Sequence, residues 1–401
     1  MRSTQYASAS GAIRSAHMTL TDLLAQLVAI NSVNPALVAG APGERAITDF
    51  VSAWLAGRGV TVTEVPSDQP EADRPSLLCR VPGTGGGRSL VLYAHTDTVG
   101  VAGMASPFTT TIRHGALHGR GAWDMKGSLA AILRVAAGVA ARPCAGDVWL
   151  MIVADEESDS RGTEAALGEL ARRSAHPDGC VVAEPSGLRL MVGQRGFATG
   201  TLFTRGRAAH TARRDEGIDA IAMMARVIVA LEDLDAKMNA EAGHPLLGHS
   251  AVVASLVRGG SELFTYPAEC QAEFVRRTLP GQSQASLTAE FQRLFAALKA
   301  RDPRFEAALA WQLWREPMLS AEDAPIARAV AQAARDELGL APEVCAAPWW
   351  TDAALIQAAG IPAVIFGPPG GGIHAADEWV DLEGLARFEQ VLLNVTRSFC
   401  G

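Results

Sequence analysis

Residues 91–100 read VLYAHTDTVG. An apolar run, Val91 to Ala94, ends in His95 and, two positions on, in Asp97. An extended chain points residues i and i+2 to the same face, so His95 and Asp97 share a side where the strand leaves its sheet. A histidine whose second ring nitrogen is held by a carboxylate is the usual arrangement behind a metal ligand. The same two residues also suit the polar start of a loop, and this stretch alone leaves both readings open.

Outward from it, strands and helices alternate. Apolar spacing predicts helices at 20–30 and 44–57 and strands at 60–65, 76–81 and 89–93. The segment PGTGGGRS, 82–89, joins two strands and lacks the Lys-Ser/Thr ending of a phosphate loop, so a hairpin turn is expected. A helix at 126–140, an apolar strand at 148–153, a helix at 164–171 and a strand at 179–183 follow. Near-continuous apolar strands separated by helices predict an α/β fold with a mainly parallel sheet. From Arg195 to Pro317 the order becomes strand, helix, two strands, helix, strand, the split unit of a ferredoxin-like α+β sandwich. Alternation then resumes, with helices at 324–338, 352–359 and 382–399 and a strand at 363–366. The expected organisation is a discontinuous domain, 18–194 and 318–401, interrupted by a small domain at 195–317. The first 17 residues, rich in Ser and Ala, are expected to form a poorly ordered extension, with Met18 as an alternative start.

Bulk properties exclude several classes. The chain has 401 residues, 19% charged, with a net charge of -8. It shows no basic footprint for nucleic acid and no apolar run near the ~18 residues that span a membrane. Its six cysteines form no C-x-x-C pair, which points to reduced thiols and a cytoplasmic location.

Ligands of open α/β sheets sit beyond the carboxyl ends of strands. The polar residues there are His95, Asp97, Asp124 in GRGAWDMKG, Glu156 and Glu157 after WLMIVA, Glu184 after VVA, and His374 in GGGIHAADEW. Singly, each has a plain explanation as a helix cap or a loop residue. Together, five carboxylates on one sheet edge repel and drive their pKa values up, and divalent cations are the natural compensation. Two Zn²⁺ ions balance three ligand carboxylates and a hydroxide. Histidine and carboxylate ligands without cysteine suit Zn²⁺, Co²⁺ or Mn²⁺ at an open catalytic position.

The segments YAHTDTV, GRGAWDMKGSLAA, ADEES, VVAEPS, GRAAHTA, RRTLPG and FGPPGGGIHAADEWV together resemble the dinuclear-zinc amidohydrolases and metallopeptidases that include acetylornithine deacetylase, succinyl-diaminopimelate desuccinylase, glutamate carboxypeptidase and aminoacylase. The resemblance implies a three-layer catalytic domain and an inserted lid and dimerisation domain, hence a homodimer. It implies that His95 and Glu184 bind one metal ion, Glu157 and His374 the other, and that Asp124 bridges them, with a cis peptide after Asp124. Asp97 would orient His95. Glu156 would be the general base that takes a proton from a metal-bridging water as it attacks an amide carbonyl. In the inserted domain, His210 would stabilise the oxyanion and Arg277 would grip a substrate carboxylate, aided by the backbone of Gly370, Gly371 and Gly372. The expected activity is hydrolysis of an amide next to a free carboxylate, in an N-acyl amino acid, or, with the same site, in a peptide cut by a carboxypeptidase or dipeptidase.

This chain departs from the family pattern at Val275, where an Asp is common, at Phe264-Thr265-Tyr266-Pro267, and at Trp349-Trp350, where glycines are common. Trp350 reads either as packing or as an indole wall for an apolar substrate group. These changes weigh against the strongly polar substrates of the two amino-acid biosynthetic deacylases.

Overall fold

The computed structural model describes residues 18–67, 73–101 and 103–401, so the expected extension at 1–17 lies outside the described residues. The chain divides into two compact units. The first runs to Val192 and takes in Ser320–Ala347 and Thr351–Gly401, and the second is Gly193–Leu319 with Pro348–Trp350.

The sheet of the first unit runs Thr61–Val65, Ser76–Val81, Val148–Val153, Leu90–His95, Gly179–Val182, Ala363–Ile365, Leu190–Gln194. Pairing is parallel through the centre and antiparallel towards both flanks. Every residue of Leu90–His95 and of Val148–Val153 is buried, as strands covered on both faces must be. The helix Gly127–Ala141 buries Leu129, Ile132 and Leu133, the apolar face that its spacing predicts. Among the described residues, no helix is long and apolar enough to cross a membrane.

The glycine-rich loop at 82–89 is not a hairpin. Val148–Val153 lies between the two strands that the loop connects. The loop runs along 144–146 instead: the Thr84 N–H donates to the Cys144 carbonyl at 2.9 Å and the Gly85 N–H to that of Ala145 at 2.8 Å. A Cβ on Gly83 would stand 2.3 Å from the Ala145 oxygen, and one on Gly87 2.3 Å from the Cys400 oxygen. Close backbone approach, rather than a tight turn, is what demands glycine there.

A second small sheet escapes sequence reading. Gly370–Gly371, Trp379–Asp381, Ala116–His118 and Thr111–Arg113 form it in that order. Strands of two or three residues are too short to display a period. The irregular turn Ala122–Lys126 follows its strand Ala116–His118, and the Asp124–Met125 peptide in that turn is cis.

In the second unit, Ala251–Gly259, Glu269–Thr278, Gly196–Arg205 and Ala307–Arg315 form an antiparallel sheet in that order. With the helices Ala220–Ala240 and Gln284–Arg301, this is the expected split β-α-β sandwich. Met223, Val227, Phe274 and Phe291 lie at its core. Ala251–Gly259 is an edge strand and exposes Val253, Leu256 and Val257.

Candidate metal centre

In the first unit, polar side chains at the ends of three central strands meet those of two loops. His95 closes the strand Leu90–His95 and is buried. Its Nδ1–H donates to the Asp97 backbone carbonyl at 3.0 Å, with the Asp97 carboxylate Oδ1 at 3.5 Å. The main-chain oxygen is therefore the nearer partner, whereas the sequence singled out the side chain. Either contact turns Nε2 toward the other acidic groups. Nε2 lies 3.0 Å from Asp124 Oδ1 and 3.7 Å from Glu184 Oε1.

The other half of the centre is built on His374. Its Nε2 lies 3.2 Å from Asp124 Oδ2 and 3.2 Å from Glu157 Oε2. The two oxygens of Asp124 thus face opposite ways, one to each histidine. Ligand atoms of His95, Asp124 and Glu157 fall within 4.8 Å of one another, as do those of His95, Glu156 and Glu184. His374 has its side chain 50% accessible and a left-handed backbone, φ 59°, a conformation that a non-glycine residue holds only under local constraint.

The electrostatics are those of a crowded acidic site. Burial, then the Asp124 charge, pushes the Glu157 carboxyl up to about 7. Burial and the charge of Asp124 push Glu184 well up. Burial, then Glu184 and Asp352, does the same to Glu156. Asp124 goes the other way: burial opposes ionisation, but hydrogen bonds from His374 and His95 hold it below the ordinary carboxylate range. The same bonds from Asp124, then Glu157, raise His374 to about 10. Two imidazolium charges do not match this many carboxylates. Glu157 Oε1 and Glu184 Oε1 are buried with no hydrogen-bond partner, and such orphaned acceptors call for a cation. Five donors, all imidazole or carboxylate, fit one or two divalent ions of the Zn²⁺, Co²⁺ or Mn²⁺ type.

Asp97, expected from the sequence, and several residues that were not picked out there hold this arrangement. Asp97 accepts the backbone N–H of Glu156 through Oδ1 and that of Glu157 through Oδ2, both at 3.1 Å. Its Oδ2 also accepts from the Asn34 amide at 2.8 Å. Behind it, Arg74 pairs with Glu44 at 2.6 Å and with Asp155 at 2.9 Å, and all three are buried. Asp352 Oδ2 accepts from the Tyr93 hydroxyl at 2.6 Å. Burial raises the Asp352 carboxyl to about 6. Glu378, buried, accepts the N–H of Asp124 at 3.0 Å. These contacts join residues far apart in the chain, which no local pattern announces.

Gly370 and Gly371 pair with Val380 and Trp379. A Cβ on them would meet the Trp123 ring at 2.6 Å and the Trp379 ring at 2.8 Å. Gly372, at φ 72°, would clash with the Asp377 carbonyl at 2.0 Å. Packing and backbone conformation therefore already require glycine at all three.

The remaining expected residues lie in the second unit. His210 is exposed, and its Nδ1 accepts the Ala212 N–H at 3.1 Å. Nε2 is then left to carry the proton of a neutral ring and to donate. The Arg277 guanidinium stands 5.5 Å from the Phe197 ring centroid. Arg195, which the sequence reading passed over, adds a like charge beside it and donates to the His249 carbonyl at 3.0 Å. Among the described residues, neither arginine pairs with a carboxylate, and two such cations side by side favour an anionic ligand. Trp350 packs edge-on against Phe197 at 5.8 Å and donates from Nε1 to the Glu316 carbonyl at 3.1 Å.

Known proteins are similar to this chain in sequence and fold. A succinyl-diaminopimelate desuccinylase of Cereibacter sphaeroides is 30% identical over 369 residues, 89% of this chain and 94% of that protein. An acetylornithine deacetylase of Proteus mirabilis is 25% identical, over 95% of this chain and 97% of its own length. Among solved structures, Bacillus subtilis YXEP, described as a dinuclear metal binding peptidase from the M20 family, superposes with a TM-score of 0.72 at 16% identity, covering 95% of this chain and 97% of that one. Residues 91–398 match the sequence profile of peptidase family M20/M25/M40. The chain belongs to that family and is a hydrolytic enzyme.

Proposed function

We propose that the enzyme hydrolyses an amide bond next to a free carboxylate, with an N-acyl amino acid as substrate and a pair of divalent ions, Zn²⁺ foremost, in the centre described above. The observation that carries this reading is Asp124, whose two oxygens address His95 and His374 separately, as a bridging ligand must. His95 and Glu184 would complete one ion's protein ligands, Glu157 and His374 the other's. When bound, such ions polarise an amide carbonyl and lower the pKa of an attacking water toward neutral.

The chain's own groups supply the proton transfers. Glu156 takes the proton of the attacking water and returns it to the leaving amine. Its raised pKa is the direction that a base working near neutral pH needs. His210 offers its Nε2–H to the developing oxyanion. Arg277, with Arg195 beside it, takes the substrate carboxylate through paired N–H groups. Peptidases among the structural relatives favour a second reading, a carboxypeptidase or dipeptidase acting through the same groups. The exposed Val253, Leu256 and Val257 on the edge strand of the second unit support association with a second copy.

Metal uptake at pH 8 is expected to release at least one proton, that of the His374 imidazole. Its hydrogen bonds to Asp124 and Glu157 raise His374 to about 10, so at pH 8 it carries a proton that a cation must displace, and affinity weakens as pH falls. Titration with zinc in weakly buffered indicator measures this, and release of no proton contradicts the ligand set. Glu156→Gln is expected to keep both ions and to lose roughly 10²–10⁴-fold in kcat; metal analysis beside a rate assay checks it, and an active, metal-loaded variant removes Glu156 as base. A panel of N-acyl amino acids and dipeptides tests the substrate. Arg277→Met should lower kcat/KM by roughly 10–150-fold, the worth of a charged hydrogen bond, and an unchanged value sinks the carboxylate assignment. Sedimentation velocity should find a dimer that Leu256→Lys with Val257→Lys converts to monomer, and a monomeric parent refutes the association.

A further inference from the structure

We propose that the buried ion pair Arg120–Glu378 is a latch that sets the distance between Asp124 and His374, and so controls how tightly the centre holds metal. The inference rests on the metal-centre reading above and assigns a positioning role to two residues that touch neither ion nor substrate.

Four donors converge on the one carboxylate of Glu378. Oε1 accepts the backbone N–H of Trp123 at 2.9 Å and of Asp124 at 3.0 Å. Oε2 accepts the Gly121 N–H at 2.9 Å and Arg120 Nη1 at 2.7 Å. The loop bearing Asp124 is thereby wrapped around a fixed anion. Arg120 supplies the other half. Its Nη2 donates to the Ala375 carbonyl at 3.1 Å and reaches the His374 carbonyl at 3.5 Å. Both side chains are 1% exposed. A salt bridge so deeply buried is weak evidence for stability, because desolvation offsets much of its attraction. Its geometry suggests another use. One end grips the backbone of Asp124 and the other the backbone of Ala375, next to His374, and the side chains of Asp124 and His374 face each other at 3.2 Å. In an acidic cluster that repels itself, ligands spread unless their backbones are tied. The latch ties these two with five hydrogen bonds at 3.1 Å or less.

Removing a group behind a metal ligand typically costs 10–100-fold in metal affinity. Glu378→Gln keeps the shape and one acceptor oxygen but replaces the other with an amide that cannot accept. Arg120→Lys keeps the charge but removes the planar fork that reaches both Glu378 and Ala375. The experiment uses the full chain. Zinc affinity is measured by competition with a chelator, the visible spectrum is recorded after loading with Co²⁺, and the melting temperature is measured without metal. Both variants are expected to bind metal 10–100-fold more weakly than the parent, with a shifted Co²⁺ spectrum, and to recover activity at saturating metal. If Glu378→Gln does not fold, Arg120→Lys alone decides. Variants that melt lower but bind metal with parental affinity and spectrum assign the pair a purely structural role and overturn the proposal. A parent that takes up no metal overturns the metal reading itself, which is a different result from an unaltered variant.

Discussion

The structure of the first unit depends on gathering negative charge at the dry rim of a sheet. Glu156, Glu157 and Glu184 are all pushed toward the neutral form by burial and by neighbouring carboxylates. Asp124 escapes because two imidazoles donate to it. Such crowding costs stability in the bare chain. A fold keeps it only where something repays the cost, and divalent ions do so most directly.

The chain manages that repulsion from behind. Two buried carboxylates, Asp97 and Glu378, act on the backbone of the ligand-bearing loops. Asp97 collects the N–H groups of Glu156 and Glu157, and Glu378 those of Gly121, Trp123 and Asp124. Each has a polar group of its own, Asn34 for the first and Arg120 for the second. The N–H groups they grip favour the ionised form; Asp97 ends below the ordinary range, while burial still raises Glu378. Holding the backbone also leaves the ligand side chains free to turn to an ion.

The second unit presents the opposite sign. Arg277 and Arg195 stand together without an acidic partner among the described residues, beside Phe197 and Trp350. Two cations placed together favour an anion beside them.

Much of this was legible in the sequence because it is local. Long apolar runs such as VWLMIV and helical spacing such as Leu129–Ile132–Leu133 come from burial periodicities within one element, and His95, Glu157 and Glu184 could be read from their positions after such runs, whereas Asp124 and His374 stood out through the loop segments that resemble the family's. What the sequence could not decide depends on contacts between distant segments. The loop at 82–89 looked like a hairpin because nothing local reveals that Val148–Val153 inserts between its strands. Glu378 lies 254 residues from Asp124, and Arg195 meets Arg277 only when the strand that follows it, Gly196–Arg205, pairs with Glu269–Thr278. Residue type and spacing determined which groups reach the sheet's rim. Only the tertiary structure decided which backbone amides, cations and acids each would meet, because those partners are brought together by sheet order rather than by sequence neighbourhood.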